Sequence, residues 1–174
     1  MEIEAFASHH EEQAAVNAPA DLVFEYLDDF ARLGAHMTRS SWMMAGSKMS
    51  YEFDEGMGRQ LGSHVRMRGS FLGMKLEIDE RVIDRAPGNS KAWQTVGNQR
   101  MLILARYRMG FSLQPLHGEC RLTVFIDYSL PEKGLGRLLG RLAGGTYARW
   151  CVRNMLHQAT ARFGSNPGMV ADAR

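Results

Sequence analysis

The sequence has little of several features that define whole classes of protein. It contains 2 cysteines and 5 prolines in 174 residues, and no apolar run approaches the ~20 residues that a membrane-spanning helix needs. Two cysteines, Cys120 and Cys151, cannot build a disulfide framework, so we expect buried thiols in a reducing cytoplasm. The formal charge of +2 provides no general field for nucleic-acid phosphates, so no nucleic-acid partner is predicted.

The composition nevertheless supports a folded core. Hydrophobic residues make up 45% of the chain, which excludes intrinsic disorder, and the length fits a single domain. We expect one domain over residues 1–163 and a flexible tail over residues 164–174, where a proline and a glycine follow the last helical pattern.

The N-terminal part carries one strand pattern followed by helical spacing. Residues 9–16 predict an extended strand. Asn17 and Pro19 mark the start of a helix, with Asn17 as its cap. Asp28 and Asp29 are expected to face solvent or to close the turn, and residues 30–35 predict a second short helix. Residues 36–49 have no clean period and are interpreted as a loop.

Between residues 49 and 130 the apolar period changes to two. In one run Val65, Met67 and Phe71 alternate with Arg66 and Arg68. Six runs of this kind are separated by turn signals, which is typical of an antiparallel sheet with one buried and one wet face. With the N-terminal strand, the sheet should have about seven strands.

Helical spacing returns over residues 133–163. Leu135, Leu138 and Leu142 mark one apolar stripe, and a second stripe follows Gly144 and Gly145. At about 100° per residue the two stripes are out of phase by roughly 130°. One straight helix cannot bury both against one surface, so the sequence predicts a kink or a break at the glycine pair.

This order of elements predicts an α+β fold, in which a curved antiparallel sheet wraps around a long C-terminal helix. Two short helices follow the first strand. A long helix cannot touch the whole of a curved sheet, so we expect a mostly apolar cavity between them.

Two segments resemble a known superfamily. VNAPADLVFEYLDDF over residues 16–30 and YARWCVRNML over residues 147–156 look like the START/Bet v 1-like proteins. These are also called SRPBCC or polyketide cyclase/dehydrase-like proteins, and they include coenzyme Q-binding-like members. The resemblance covers about residues 6–163. It implies a helix-grip fold with a deep cavity for lipids, polyketides, isoprenoids or quinones, in proteins that range from carriers to cyclases and hydrolases.

Aromatic and methionine side chains are the candidate ligand contacts. Their alternation or helical position directs them toward the expected cavity, although ordinary core packing also accounts for each one. The candidates on the strands and the last helix are Met67, Phe71, Trp93, Tyr107, Met109, Phe111, Tyr147 and Trp150. The methionine-rich loop is predicted to be a lid, with Met37 and Met43 as ligand contacts and His36 and Met44 at the cavity entrance.

Arginines outnumber lysines by 17 to 4. Arg66 and Arg68 are expected on the outer face of the sheet, paired across strands with Glu77 and Asp79. The opposite register would instead point these arginines inward, toward an anionic headgroup.

Two kinds of surface contact stay open. Lys133, Arg137 and Arg141 form the polar side of the leucine stripe, which either faces solvent or rests on an anionic membrane as a peripheral contact. An exposed outer strand also allows a homodimer.

No catalytic residue can be assigned from a motif. His9, His10, Glu11 and Glu12 lie in a predicted strand, where adjacent side chains point to opposite faces, so no metal site is predicted there. No nucleophile has a readable motif around it. The glycine-rich runs lack the strand-to-helix context of a phosphate loop, and no cofactor is expected.

The sequence therefore favours binding or transport of a hydrophobic or amphipathic small molecule over catalysis. The alternative is a polyketide cyclase/aromatase- or hydratase-like enzyme that uses Tyr or His acid–base groups in the same cavity. A third interpretation is an adaptor that uses the cavity to hold a partner's peptide or a quinone at a membrane.

Overall fold

The structure is a computed structural model that describes residues 5–32, 49–71, 74–97, 99–101 and 103–165. For Met49, Phe71 and Met74 the description covers the backbone alone. The proposed lid with Met37, Met43 and Met44, the entrance residue His36 and most of the predicted tail lie outside these residues.

Seven strands form one antiparallel sheet, as the alternation predicts. The strands are β1 (Ser8–Val16), β2 (Met49–Phe53), β3 (His64–Phe71), β4 (Met74–Ala86), β5 (Ser90–Thr95), β6 (Arg106–Pro115) and β7 (Cys120–Ser129). Their spatial order is β1-β7-β6-β5-β4-β3-β2, so β2 to β7 form a meander that β1 extends beside β7. A register shift between Val82 and Asp84 interrupts the pairing of β4 with β5.

Helix α1 (Ala20–Leu27) follows β1 directly. The prediction that Asn17 caps this helix was wrong, because Pro19 is the N-cap residue and no side chain caps it. The backbone N–H of Asn17 instead donates to the carbonyl of Gly164, which joins this turn to the end of the last helix. Residues 30–32 are also helical, where the second short helix was expected to begin.

A kink or a break was predicted at Gly144 and Gly145. Helix α2 (Gly134–Phe163) runs for 30 residues without interruption, so the helix does not break there. That prediction assumed that both apolar stripes are buried. In the structure the first stripe is left in solvent, with Leu135, Leu138 and Leu142 exposed at 60%, 57% and 74%. Within the described residues, no helix is both long enough and apolar enough to cross a membrane.

The buried face of α2 begins with small residues. A Cβ on Gly140 would lie 2.9 Å from Cδ of Pro131 and 3.0 Å from the carbonyl oxygen of Ile103, and one on Gly144 would lie 2.4 Å from Leu130. The glycines therefore let the first half of α2 lie closer to two segments, the one that precedes β6 and the one that follows β7, than alanine would. Close packing, and not a need for backbone flexibility, therefore accounts for glycine at these two helix positions.

The strand arginines lie on the outer face of the sheet, which confirms the predicted register. Arg66 lies 3.4 Å from Asp79, and Arg68 lies 3.3 Å from Glu77 and 2.8 Å from Glu52. The inner face carries the apolar positions of the same strands and packs against the two helices.

Replacing Gly140 by alanine should destabilise the protein. The new methyl group meets a proline ring and a backbone carbonyl, neither of which yields easily, so we expect a loss of about 1–3 kcal/mol in the free energy of unfolding. Gly145→Ala is the matched control, because the nearest atom to its Cβ is the Tyr128 hydroxyl at 3.6 Å. That control should gain up to about 1 kcal/mol from helix propensity. Urea unfolding measures the free energy of unfolding of both variants. If both are stabilised equally, close packing does not explain the glycine at position 140.

Candidate functional site

A carboxyl group is buried on the inner face of the sheet. Glu80 in β4 is opposite Val65 of β3 and Thr95 of β5, and its residue is only 4% exposed. Antiparallel partners directly opposite each other point to the same side of the sheet. The neighbouring β4 positions on that side, Ile78 and Val82, are aliphatic, so Glu80 places a carboxyl within an apolar stretch of the strand.

Glu80 is held by two hydrogen-bond donors from neighbouring strands. The hydroxyl of Tyr107 in β6 donates to Oε1 of Glu80, and the side chain of Trp93 in β5 donates through its indole N–H. Burial of the carboxyl raises the pKa of Glu80 to about 7, and these hydrogen bonds offset only part of that effect. The group therefore changes charge near neutral pH, which an ordinary glutamate does not.

Helix α2 brings a second polar pair to this region. Tyr147 and Cys151, one turn apart, are hydrogen-bonded to each other. The nearby thiol and burial both raise the pKa of Tyr147, and the charge of Glu80 adds to this effect. Burial raises the pKa of Cys151 to about 12, so the thiol stays protonated and is not a nucleophile at neutral pH.

Tyr51 in β2 completes the group. Its hydroxyl oxygen is buried and has no hydrogen-bond partner among the described residues. Burial and the charge of Glu80 raise the pKa of Tyr51 far above its ordinary value, so it remains a hydroxyl donor. We call Tyr51, Glu80, Trp93, Tyr107, Tyr147 and Cys151 the tyrosine–glutamate cluster. A buried hydroxyl without a partner costs stability, which makes it a natural contact for a polar atom of a bound molecule.

A separate buried ion pair joins α1 to the sheet. Asp28 ends α1, and its carboxylate accepts hydrogen bonds from Arg85 at 2.7 and 3.1 Å and from Lys91 at 2.8 Å. Lys91 is 0% exposed; its Nζ also donates to the Asp28 carbonyl and lies 4.1 Å from the centre of the Phe30 ring. Asp28 thus closes the turn as expected, but it is buried.

The two partners of this pair respond differently to burial. Burial alone would raise the pKa of Asp28, but the hydrogen bonds and charges of Arg85 and Lys91 outweigh it and lower that pKa. Burial lowers the pKa of Lys91 to about 8, with Asp28 opposing the shift. Both groups are charged at neutral pH, so Lys91, whose charge acts on Glu80, already has a carboxylate partner, which it shares with Arg85.

The structure brings three of the predicted ligand contacts together. Trp93, Tyr107 and Tyr147 belong to the tyrosine–glutamate cluster, whereas Phe111 packs against Phe24 of α1 with ring centres 5.7 Å apart. Trp150 stacks on Tyr147 at 5.8 Å. Met67 is buried and Met109 is half-buried on the inner face. Their role in ligand binding stays a prediction, as it does for Phe71, whose side chain lies outside the description.

Sequence reasoning missed Glu80 and Lys91. The signal was present, because the positions Leu76, Ile78 and Val82 alternate and place residue 80 on the same buried face. A carboxyl at such a position is either paired or functional. The acidic and histidine-rich start of β1 has an ordinary explanation: His9 contacts Asp127 at 2.6 Å and His10 contacts Glu12 at 2.9 Å.

The sheet, the long helix packed on it and the polar cluster between them define a helix-grip protein. The chain belongs to the family described as polyketide cyclase / dehydrase and lipid transport, whose sequence profile matches residues 8–164. No curated protein matches the chain in sequence.

Solved structures show the same fold at low sequence identity. A protein from Thermus thermophilus aligns with a TM-score of 0.61 at 14% identity, over 89% of this chain and 98% of its own. The Zhui aromatase/cyclase from a Streptomyces species aligns with a TM-score of 0.54 at 22% identity, over 89% and 85%. Norcoclaurine synthase from Thalictrum flavum aligns with a TM-score of 0.52 at 15% identity, over 87% and 95%.

The buried carboxyl should make stability depend on pH. Glu80 has a folded pKa of about 7, above the value of about 4.3 in the unfolded chain. Between these values the folded state keeps a proton that the unfolded state has lost, so stability falls as pH rises. Relative to Glu80→Gln, the wild-type free energy of unfolding should fall by about 3 kcal/mol across this window. Urea unfolding at a series of pH values measures it.

The control for that experiment is Glu77→Gln, which removes a carboxyl from the outer face of the same strand. If the free energies of unfolding of wild type and Glu80→Gln differ by the same amount from acid to neutral pH, the pKa of Glu80 is not raised.

Removing the carboxylate of Asp28 should be costly. Asp28→Asn leaves Lys91 charged and buried without its counter-ion, and breaking a buried pair in this way costs about 3–5 kcal/mol. Asp29→Asn is the matched control, because its partner Arg59, 3.1 Å away, is 53% exposed; an exposed pair contributes about 1 kcal/mol or less. Thermal and urea unfolding compare the two variants, and equal losses would exclude a special role for the buried pair.

Proposed function

We propose that this protein binds an uncharged, mostly apolar molecule that carries a carbonyl or hydroxyl group, such as a polyketide, an isoprenoid or a quinone. The observation that supports this most directly is the buried Tyr51 hydroxyl without a partner among the described residues, beside Glu80 and Tyr147. A carbonyl oxygen of the ligand would accept the Tyr51 hydrogen bond, and the apolar inner face would contact the rest of the molecule.

Charge argues for a neutral ligand over a fatty acid or another carboxylate. At pH values above about 7 Glu80 is negative, and a second carboxylate in the same apolar interior would be repelled strongly. The buried cation Lys91, whose charge acts on Glu80, is already bound to Asp28. The family description, which names both cyclases and lipid transport, is compatible with this ligand class.

Two fluorescent probes with the same ring system test the proposal: acetylnaphthalene, a neutral ketone, and naphthoate, the matching carboxylate. At about pH 8 the ketone should bind roughly tenfold more tightly or better, because Glu80 is charged. Naphthoate affinity should rise as the pH falls to about 6 and Glu80 takes up a proton. Titrations followed by tryptophan fluorescence measure both, and equal affinities at about pH 8 would contradict the proposal.

A single substitution tests the contact atom. Tyr51→Phe should weaken acetylnaphthalene binding roughly fivefold to tenfold, the value of one hydrogen bond. Because the hydroxyl has no partner in the described structure, protein stability should hardly change. Tyr26→Phe is the control, since Tyr26 packs against Phe163 at the far end of α2. Unchanged affinity in Tyr51→Phe would remove Tyr51 from the site.

A second candidate function is acid–base catalysis on the bound ketone. The raised pKa of Glu80 favours it, because a carboxylate with a pKa of about 7 is a better general base near neutral pH than an ordinary glutamate. Glu80 would take a proton from the carbon next to the carbonyl, and a tyrosine hydroxyl would donate a proton to the carbonyl oxygen to give the enol.

Deuterium uptake distinguishes binding from catalysis. In heavy water, the acetyl methyl protons of acetylnaphthalene should exchange about 100-fold faster or more with an acid–base enzyme than without it. Glu80→Gln should remove this acceleration while keeping the probe bound. Exchange at the uncatalysed rate in saturated wild-type protein would leave binding as the function and exclude catalysis on this ketone.

A further inference from the structure

Helix α2 exposes a leucine row that no fold requirement explains. Leu135, Leu138 and Leu142 are more than half exposed, and their spacing of three and seven residues places them on one side of the helix. Scattered surface leucines are common, but three in one row make a contiguous apolar strip. In this first half of α2 the buried residues are Gly140 and Gly144, which lie on a different side of the helix from the leucines.

A basic row runs beside these leucines. Lys133, Arg137 and Arg141 recur every four residues, and Arg141 lies three residues after Leu138, one turn away. All three basic residues are exposed. Arg149 is also exposed and follows Leu142 by seven residues, so it continues the line of the leucine row.

A groove extends the basic row toward the sheet. It has a volume of about 1110 Å³ and lies between the start of α2 and the ends of β1, β6 and β7. The charged residues that line it in the described part of the chain are Arg106, Glu132, Lys133, Arg137 and Arg141, four cations and one anion. Leu130 and Pro131 provide an apolar wall.

We propose that this surface, the leucine row with the basic row and its groove, binds an anionic lipid bilayer. The leucines would enter the boundary between headgroups and acyl chains, and the arginines would contact lipid phosphates, which is how interfacial amphipathic helices bind. The surface is distinct from the tyrosine–glutamate cluster, although Tyr147 follows Leu142 by only five residues, about 7.5 Å along the helix axis.

A second copy of the chain fits this surface less well. An antiparallel two-fold contact through the leucines would place the basic rows of both copies along the same edge of the interface, where like charges are unfavourable. An anionic bilayer matches both the apolar row and the charge.

Sedimentation with lipid vesicles tests the proposal on the full chain. The protein should bind phosphatidylcholine vesicles that contain phosphatidylglycerol and should bind pure phosphatidylcholine vesicles much less. The double variant L138S/L142S should lower the partition coefficient about tenfold or more. Each of Arg137→Gln and Arg141→Gln should lower it about fivefold.

The matched controls keep residue type and exposure but change position. Leu61→Ser removes a leucine that is 71% exposed in the turn before β3, and Arg81→Gln removes an exposed arginine of β4; both should bind vesicles like wild type. Binding of acetylnaphthalene should be the same in L138S/L142S and wild type, so a failure of this proposal is distinguishable from a failure of the proposed function.

Three results would overturn the proposal. The first is that the wild-type protein does not bind the anionic vesicles, and the second is that L138S/L142S binds them as well as wild type does. The third is that analytical ultracentrifugation shows a dimer of the wild-type protein and a monomer of L138S/L142S, which would make the surface an interface between copies of this chain.

Discussion

The chemistry of the protein interior depends on one buried carboxyl group, that of Glu80 on the inner face of the sheet. Removing a glutamate from water is costly, and the protein keeps Glu80 there by surrounding it with hydrogen-bond donors from two other strands. Those donors, in turn, require β4, β5 and β6 to hold their register. The chemistry of the interior is therefore determined by strand pairing.

The two helices act on this interior in different ways. Helix α1 is tied to the sheet by the buried carboxylate of Asp28, which binds Arg85 and Lys91. Because Lys91 forms its ion pair with Asp28, it does not bind the carboxylate of Glu80 directly. Helix α2 brings Tyr147 and Cys151 inward, while its glycines keep its first half close to the strand ends. The two ion pairs of Asp28 hold α1 against the sheet, and Glu80 has hydrogen-bond donors but no ion pair among the described residues.

Much of the architecture follows from periodicity alone. The alternation of Val65 and Met67 with Arg66 and Arg68 is enough to predict a strand, its buried face and its outer ion pairs. The site is harder to predict, because its residues come from strands far apart in sequence and because a glutamate at a buried position looks like an interruption of the pattern. Residue 80 is the informative exception within the aliphatic series Leu76, Ile78 and Val82.

The errors concern features that depend on tertiary contacts. Gly144 and Gly145 suggested a kink or a break because helical spacing does not show which apolar stripe is buried, and the structure leaves the leucine stripe exposed on an uninterrupted helix. Asn17 has the right residue type for a cap, but its backbone is used to contact Gly164. In both cases the residue type has the local preference on which the prediction relied. The outcome depends instead on contacts with parts of the chain that are distant in sequence.

The most direct test of the account is a titration of Glu80 itself. Carboxyl carbon NMR of the labelled protein, with Glu80→Gln to assign the resonance, reports the protonation of this one side chain. The midpoint of this titration should lie near the pKa of about 7, and addition of a neutral ketone should perturb the same resonance. A midpoint at the ordinary glutamate value of about 4.3 would contradict the central claim.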